Sequence, residues 1–265
     1  MKFSLKSIAA AVALATVAVS ASAAIDSGTS PDGNGDLYFS AWNGATSYYF
    51  DLNVRIDDYF SQKSAAGNLN LVFGSDNSDF SSSFSNWVAG SANPSAIKWT
   101  VQALDSVGAR RILTTMADTV VNPTIKTSDT LRTAIQGAQG FLTNANSAIT
   151  ASGTNAGVVN STQANTANGA FANNVGFYTF GTLADSTYAL GQRLEYITAA
   201  ASATPKGVYA NEMDNGLAVK VWVDSSNALH VGNGVVAAVP EPETYAMLLA
   251  GLGLMGAVAR RRNKA

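Results

Sequence analysis

Short segments in which apolar and polar residues alternate recur along this chain, and they restrict its fold more than any other feature. The clearest are residues 97–104 and 217–223, whose alternation places the apolar side chains on one face of an extended strand. Residues 37–42 and 46–54 alternate in the same way and flank Asn43-Gly44, a turn signal typical of a β-hairpin. The pattern therefore predicts a mainly β, antiparallel domain, either a β-sandwich or a barrel-like sheet.

Further alternating segments extend this pattern, and one segment departs from it. Strands are also predicted at 69–73, 111–116, 177–180, 194–198 and 228–231, the last as a hairpin partner of 217–223. A helix is the alternative for 194–198, and a helical turn is predicted at 84–88. Residues 128–149 instead carry apolar residues at steps of three and four, which predicts one amphipathic core helix inserted into the β domain. Residues 150–174 are rich in Asn, Thr, Ala and Gly and predict a polar insert.

The first 24 residues have the organisation of a secretory signal peptide. Lys2 and Lys6 precede an apolar stretch at 8–19, and small residues follow it. The cleavage region is predicted at Ala21, Ala23 and Ala24, and cleavage after Ala23 and cleavage after Ala24 fit equally well. The chain is therefore expected to cross the inner membrane through the secretion translocon.

The last 27 residues form a second segment that does not belong to a globular core. Val239, Pro240, Glu241, Pro242 and Glu243 make a stiff, extended box, because each Pro fixes its φ and restricts the residue before it. An apolar run of 15 residues follows at 245–259, and as a helix it spans only ~22 Å of a ~30 Å hydrocarbon core. The basic cluster at 260–264 keeps its end in the cytoplasm; its members are Arg260, Arg261, Arg262 and Lys264. The tail is thus predicted to insert transiently as one short transmembrane helix.

This order of box, apolar helix and terminal arginines resembles the PEP-CTERM sorting signal of Gram-negative bacteria. The resemblance covers residues 239–265 and implies recognition and processing by an exosortase-like enzyme. It further implies a host that forms exopolysaccharide or biofilm, and a final place at the cell surface or in the extracellular matrix. A similar tail occurs in some bacterial ice-binding proteins, but residues 25–238 show neither a repeat nor the Thr ladder of an ice-binding solenoid.

The composition of the exported domain, residues 25–238, restricts its partners. It holds 10 basic and 16 acidic residues, a net charge of −6, which excludes nucleic acid as a partner. The chain has no Cys, so the domain must rest on its core rather than on disulfides. Neutral polar residues supply most of its solubility, as in many surface proteins and glycan-binding modules.

No residue pattern in this domain predicts a catalytic, cofactor-binding or metal centre. His230 is the only His, whereas catalytic triads and most zinc sites need a His with fixed partners. Glu195 and Glu212 offer carboxylates for a hydrolase, but nothing in their spacing pairs them. Residues 32–36 resemble the start of a calcium loop and lack its later ligands, so no cofactor is expected and structural calcium is the alternative.

The sequence therefore predicts a non-enzymatic surface or matrix protein that associates with extracellular polysaccharide. Two alternatives stay open: an exported carbohydrate-active hydrolase and a glycan-binding module. A stacking role on sugar rings was weighed for the larger aromatic residues of the strands, against the commoner fate of core packing. These residues are Tyr38, Trp42, Tyr48, Tyr49, Trp87, Trp99 and Trp222.

Overall fold

An antiparallel sheet of 11 strands dominates the computed structural model. The structure describes residues 24–29, 33–66, 69–74, 80–107, 110–117, 128–160, 180–184, 186–198, 208–211, 213–214 and 217–234. The strands are β1 (Asp36–Trp42), β2 (Thr46–Arg55), β3 (Asn70–Phe73), β4 (Lys98–Asp105), β5 (Arg111–Met116), β6 (Ala156–Asn160), β7 (Gly181–Thr182), β8 (Gln192–Thr198), β9 (Val208–Asn211), β10 (Met213–Asp214), β11 (Leu217–Ala218), β12 (Lys220–Val223) and β13 (Leu229–Gly232). The chain divides into two compact units, Met1–Asn233 and Gly234–Ala265, and the whole sheet belongs to the first.

The strands are ordered β3-β13-β12-β8-β5-β4-β1-β2-β6, with β7 beside β4 and β9 beside β8. The sheet curves as a half-barrel, and β10 and β11 form a small separate ladder. The predicted hairpin at 37–54 is confirmed, since β1 pairs with β2 from Trp42↔Ser47 onward. The pairing of β4 with β5 and that of β12 with β13 are also confirmed. The predicted strand 217–223 is interrupted, because Val219 lies between β11 and β12.

Two helices pack on one face of the sheet. These are α1 (Ile56–Ala66) and α2 (Phe80–Ala89), and both contribute buried residues to the same apolar core as β1, β2 and β4. The ring of Phe39 at the centre lies 5.0 Å from that of Phe80 and 5.1 Å from that of Phe84, both edge-to-face. Burying this aromatic group holds α2 on the sheet, although its serine-rich sequence favours loops.

The third helix, α3 (Ser128–Ser152), packs on the opposite face. The helix predicted at 128–149 is confirmed and extends three residues further. Ile135, Leu142 and Ile149 are buried against Tyr38 and Tyr49, which point away from the first core. The strands between the helices are thus covered on both faces, which explains why polar residues within them must find partners inside the protein.

Two expectations about the architecture are corrected. The mainly β, antiparallel fold is confirmed, but the β-sandwich alternative is wrong, because helices rather than a second sheet cover the strands. The single inserted helix is also wrong, since α1 and α2 accompany α3. In α1, Ile56, Tyr59 and Phe60 already have helical spacing, and Asn34 Oδ1 accepts the Asp57 N–H at 2.8 Å in its first turn.

Part of the segment predicted as a polar insert, 150–174, lies in the described residues. Residues 150–152 end α3 and residues 156–160 form β6, while 161–174 lie outside the described residues. The predicted signal peptide, through residue 23, and the predicted tail at 239–265 lie outside them too. Within the described part of the chain, none of the helices is both long and apolar enough to cross a membrane.

Candidate functional site

Aromatic and charged side chains gather on the outward side of the β12–β13 hairpin. Val221 and Val223 of β12 point into the core, so the alternation turns Trp222 outward. Its cross-strand partner is His230, and the two rings stack at 4.8 Å with an angle of 4°. Tyr188 meets the Trp222 ring edge-to-face at 5.7 Å. We call Tyr188, Lys220, Trp222, Asp224 and His230 the Trp222 cluster.

The side chains around Trp222 are held by hydrogen bonds or a cation–π contact, and Trp222 itself is held by its ring contacts with His230 and Tyr188. His230 Nε2 donates to Asp224 Oδ2 at 2.9 Å, and the Tyr188 hydroxyl donates to the Ala218 carbonyl at 2.8 Å. Lys220 Nζ lies 5.3 Å from the centre of the Tyr188 ring, within the range of a cation–π contact. The cluster therefore presents rings in a set orientation, which lowers the entropy lost when a ligand binds to them.

The turn after β12 orients Asp224 and keeps it ionised. Its Oδ1 accepts hydrogen bonds from the Ser226 N–H, the Ser226 hydroxyl and the Ala228 N–H. Burial raises the pKa of Asp224, but these bonds and the one from His230 outweigh it and lower the pKa to about 2. Asn227 completes the turn with φ +61°, a left-handed conformation that Asn tolerates. A carboxylate is thus available beside His230 at any ordinary pH.

Exposed apolar side chains adjoin the Trp222 cluster. Leu190 is 58 % exposed, and it precedes Gly191, where an added Cβ would lie 3.2 Å from Trp222 Cβ. Leu217 is 42 % exposed and precedes Ala218, whose carbonyl accepts the hydrogen bond from Tyr188. Val72 is 37 % exposed and pairs with His230 across strands β3 and β13. Apolar surface combined with oriented polar groups is the chemistry that binds the faces and hydroxyls of sugar rings.

The other aromatic residues weighed from the sequence serve the core. Tyr38, Tyr48, Tyr49 and Trp99 are buried. Trp87 packs against Phe84 at 5.8 Å and donates its Nε1–H to Thr46, while Trp42 is half-buried with its Nε1 enclosed. The predicted hairpin between 217–223 and 228–231 brings Trp222 and His230 near each other. The observed register, in which Val223 pairs with Leu229 across five intervening residues, places Trp222 directly opposite His230.

A second group of polar residues lines a pocket of about 520 Å³ at the start of the domain. We call it the acidic pocket; its lining residues are Ala24, Ile25, Asp26, Ser27, Asp36, Asp51, Asn53, Arg55 and Asp58. Asp51 is only 1 % exposed; its Oδ1 accepts the Asn53 N–H at 2.8 Å, and its Oδ2 is buried with no hydrogen-bond partner. Burial and, to a smaller extent, the charges of Asp36 and Asp26 raise the pKa of Asp51 to about 7, although the Asn53 hydrogen bond lowers it.

The remaining charges of the acidic pocket interact with one another. Asp36 Oδ2 accepts the Asp26 N–H at 2.7 Å, and Arg55 lies 3.8 Å from Asp26 and 3.9 Å from Asp36. Burial also raises the pKa of Asp36. Although a carboxyl group that titrates near neutrality suits acid–base chemistry, Asp51 is too enclosed for a sugar to reach it.

The calcium-like residues 32–36 have other roles where the structure describes them. Asn34 bonds the first turn of α1, and Asp36 begins β1 and holds Asp26, while Asp32 lies outside the described residues. The described part of the chain contains no group of three His, Cys, Asp or Glu placed to hold a metal ion. Structural calcium therefore stays an untested alternative.

Only one of the two carboxylates that the sequence offers for a hydrolase lies in the described residues. Glu195 is 2 % exposed in β8, and its Oε2 accepts a hydrogen bond from Arg193 Nε at 3.2 Å. Glu212 lies outside the described residues. The pairing of two carboxylates that glycoside hydrolysis requires therefore stays untested for Glu195 and Glu212.

Comparison with known families identifies the C-terminal segment. Residues 238–262 match the family described as the PEP-CTERM protein-sorting motif. The tail is a PEP-CTERM sorting signal. No curated protein and no solved structure matches the chain. This PEP-CTERM protein is therefore exported and sorted by an exosortase, and the match says nothing of what residues 25–237 do.

The residues predicted to form the sorting box and the basic cluster fall inside the matched range. They are Val239, Pro240, Glu241, Pro242, Arg260, Arg261 and Arg262. Their individual roles stay predictions, as do the cleavage positions at Ala21, Ala23 and Ala24. The PEP-CTERM signal implies export and sorting at the membrane.

Proposed function

We propose that this PEP-CTERM protein is a non-enzymatic component of the cell surface or extracellular matrix that binds polysaccharide through the Trp222 cluster. The observation that carries the proposal is the oriented aromatic group on the outward side of β12 and β13, with apolar side chains beside it. The sorting signal supports it, because the protein is exported.

The chemistry of the cluster matches a carbohydrate ligand better than a charged polymer. The exported domain is acidic, which disfavours polyanions, while Trp222 and Tyr188 offer ring surface for the apolar face of a sugar. Asp224 and His230 add polar groups for sugar hydroxyls at the edge of that surface. We infer that the ligand is a neutral or weakly charged polysaccharide made by the host.

The test measures binding of the purified exported protein to the host exopolysaccharide by affinity electrophoresis. Replacing Trp222 by Ala is expected to weaken binding at least tenfold, which corresponds to about 1.4 kcal/mol of lost stacking. Val158→Ala is the matched control: Val158 is also an exposed apolar residue, but it lies on β6 at the other end of the sheet. Equal binding by the Trp222 and Val158 variants would contradict the proposal.

The same samples distinguish the hydrolase alternative. Binding alone leaves the polysaccharide chain length unchanged, whereas a hydrolase releases new reducing ends. Reducing ends that appear with the wild-type protein and are lost in Glu195→Gln or Glu212→Gln would refute the non-enzymatic assignment.

A further inference from the structure

From Ile25 onward, directly after the predicted cleavage region, the chain makes hydrogen bonds to the folded domain. Ile25 N donates to Asn146 Oδ1 at 2.8 Å, and Asn146 Nδ2 donates back to the Ile25 carbonyl at 3.0 Å. The next three residues also make hydrogen bonds to the fold. The Asp26 N–H donates to the Asp36 carboxylate. The Ser27 carbonyl accepts from the Gln139 side chain, and the Gly28 carbonyl accepts from the Ser106 N–H. The start of the mature chain is therefore held in one place, with Ala24 at the wall of the acidic pocket.

The same pocket holds a buried oxygen that lacks a partner. Asp51 Oδ2 is enclosed, with no hydrogen bond, in a side chain that is 1 % exposed. An unsatisfied buried carboxylate oxygen is costly, so its retention points to a donor that the uncleaved chain does not provide. Four carboxylates and one guanidinium line the pocket, which favours a cationic donor.

We propose that removal of the signal peptide supplies this donor: the α-ammonium group of Ala24 enters the acidic pocket and pairs with Asp51. The proposal rests on the predicted cleavage after Ala23 and is independent of polysaccharide binding. Ala24 rather than Ile25 is assigned, because the Ile25 nitrogen already donates to Asn146. Cleavage would thereby complete the folded domain.

The chemistry of cleavage provides what the pocket lacks. Hydrolysis breaks the peptide bond between residues 23 and 24; water gives its hydroxyl to the released carboxyl group and a hydrogen to the Ala24 nitrogen. That amine then takes a proton from solvent and becomes an ammonium with three donors, since a free α-amino group has a pKa of about 7.7–8.0. An amide with one donor and no charge is thus replaced by a cation.

Several charges face the proposed ion pair. Asp26 on the N-terminal segment, Asp36 on β1 and Asp58 on α1 attract the ammonium, and Arg55 on β2 opposes it. Arg55 is 52 % exposed and lies near Asp26 and Asp36, so its repulsion is screened by solvent and partly neutralised. α3 contributes only the uncharged Asn146 and Gln139 through its contacts to this segment. The summed field therefore favours the ammonium and should raise its pKa.

The experiment compares the exported protein, with its N-terminus established by mass spectrometry, with a variant that carries Gly-Ser before Ala24. The extension moves the ammonium out of the pocket and is expected to lower the melting temperature at pH 7 by about 5 °C or more. In an Asp51→Asn background the same extension should change it by less than about 1 °C. Asp58→Asn, which removes an exposed and solvent-screened carboxylate of the same pocket, is the matched control and should reduce the effect of the extension far less than Asp51→Asn does.

A second measurement holds even if Asp51→Asn does not fold. NMR titration of the wild-type α-amine, labelled by reductive methylation, should give a pKa at least one unit above that of the Gly-Ser variant.

Three results would overturn the proposal: an equal pKa in the two proteins, an equal effect of the extension with and without Asp51, or a mature chain that begins at Ile25. Stabilisation of the mature protein by millimolar calcium, lost in Asp51→Asn, would place a metal ion there instead and overturn it too. None of these readouts involves polysaccharide, so loss of binding in Trp222→Ala stands apart from them.

Discussion

Replacing Asp51 by Asn should remove the loss of stability between pH 4 and pH 7 that Asp51 causes in a chain whose Ala24 nitrogen is still an amide. The folded state raises the pKa of Asp51 from 3.8 to about 7, so between these values the folded protein holds a proton that the unfolded chain has released. The sign follows directly: stability is fully present below pH 3.8 and is lost as the pH rises to about 7. At 1.36 kcal/mol per unit, the loss amounts to about 4 kcal/mol.

The Asn side chain does not titrate, so this loss disappears, but the substitution has its own cost. Its carbonyl oxygen keeps the Asn53 hydrogen bond, while its amide group takes the position of the unpartnered Oδ2. An unsatisfied buried donor costs about 1–3 kcal/mol. We therefore expect Asp51→Asn to be less stable than wild type at pH 4 and more stable, by about 1–3 kcal/mol, at pH 8.

The assay is urea unfolding followed by Trp fluorescence at intervals from pH 4 to pH 8, with the signal peptide replaced by a fixed extension. Asp58→Asn is the control, because its exposed carboxylate lines the same pocket and should leave the curve nearly parallel to wild type. A variant curve that keeps the wild-type slope between pH 4 and pH 7 would refute the reasoning, because another group would then carry the linkage.

Four further outcomes are expected. Gly181→Ala should destabilise the protein by about 1–3 kcal/mol in chemical unfolding, because the added Cβ would lie 2.2 Å from the Trp99 ring. Gly140→Ala should stabilise it by about 0.5–1 kcal/mol in the same measurement, since that site in α3 is open and the helix gains from Ala. The folded state lowers the pKa of Asp224 from 3.8 to about 2, so the stability that the ionised Asp224 provides is lost as the pH falls through this range. Asp224→Asn should remove this part of the acid destabilisation, which thermal melts between pH 4 and pH 2 would measure. Replacing residues 240–242 by Ala should leave the tail unprocessed; a product with wild-type mass and location would show that the box is not read.

The sequence predicts the strands well where the signal is local. Asn43-Gly44 between two alternating segments is enough to define the β1–β2 hairpin, and six apolar residues on one helical face are enough to define α3. The sequence does not predict α1, and it predicts only one helical turn, at 84–88, of α2, because the stability of both helices is not local. The Ser-rich α2 becomes helical by placing Phe80 and Phe84 on Phe39, a contact that only the folded sheet creates.

The two candidate sites also differ in whether local sequence brings their residues together. Trp222 and His230 belong to one short hairpin, so the sequence contains the information that brings them together. The acidic pocket depends on how β1 aligns with β2, and a register shift between Leu37 and Tyr38 places Asp51 opposite Tyr38. A shift of one residue would turn Asp51 to the other face of the sheet. Such a bulge has no sequence signature here, and the pocket therefore could not be predicted.

The strand order has a consequence for the timing of export. β3 pairs with β13, the last strand before Asn233, and Ser81 Oγ donates to the Ser226 carbonyl. For a chain that crosses the membrane amino end first, this edge of the sheet stays unpaired until nearly the whole domain has emerged. By then the sorting tail directly behind β13 has reached the membrane. Folding and sorting therefore converge on one late event: the arrival of β13 on the far side of the membrane.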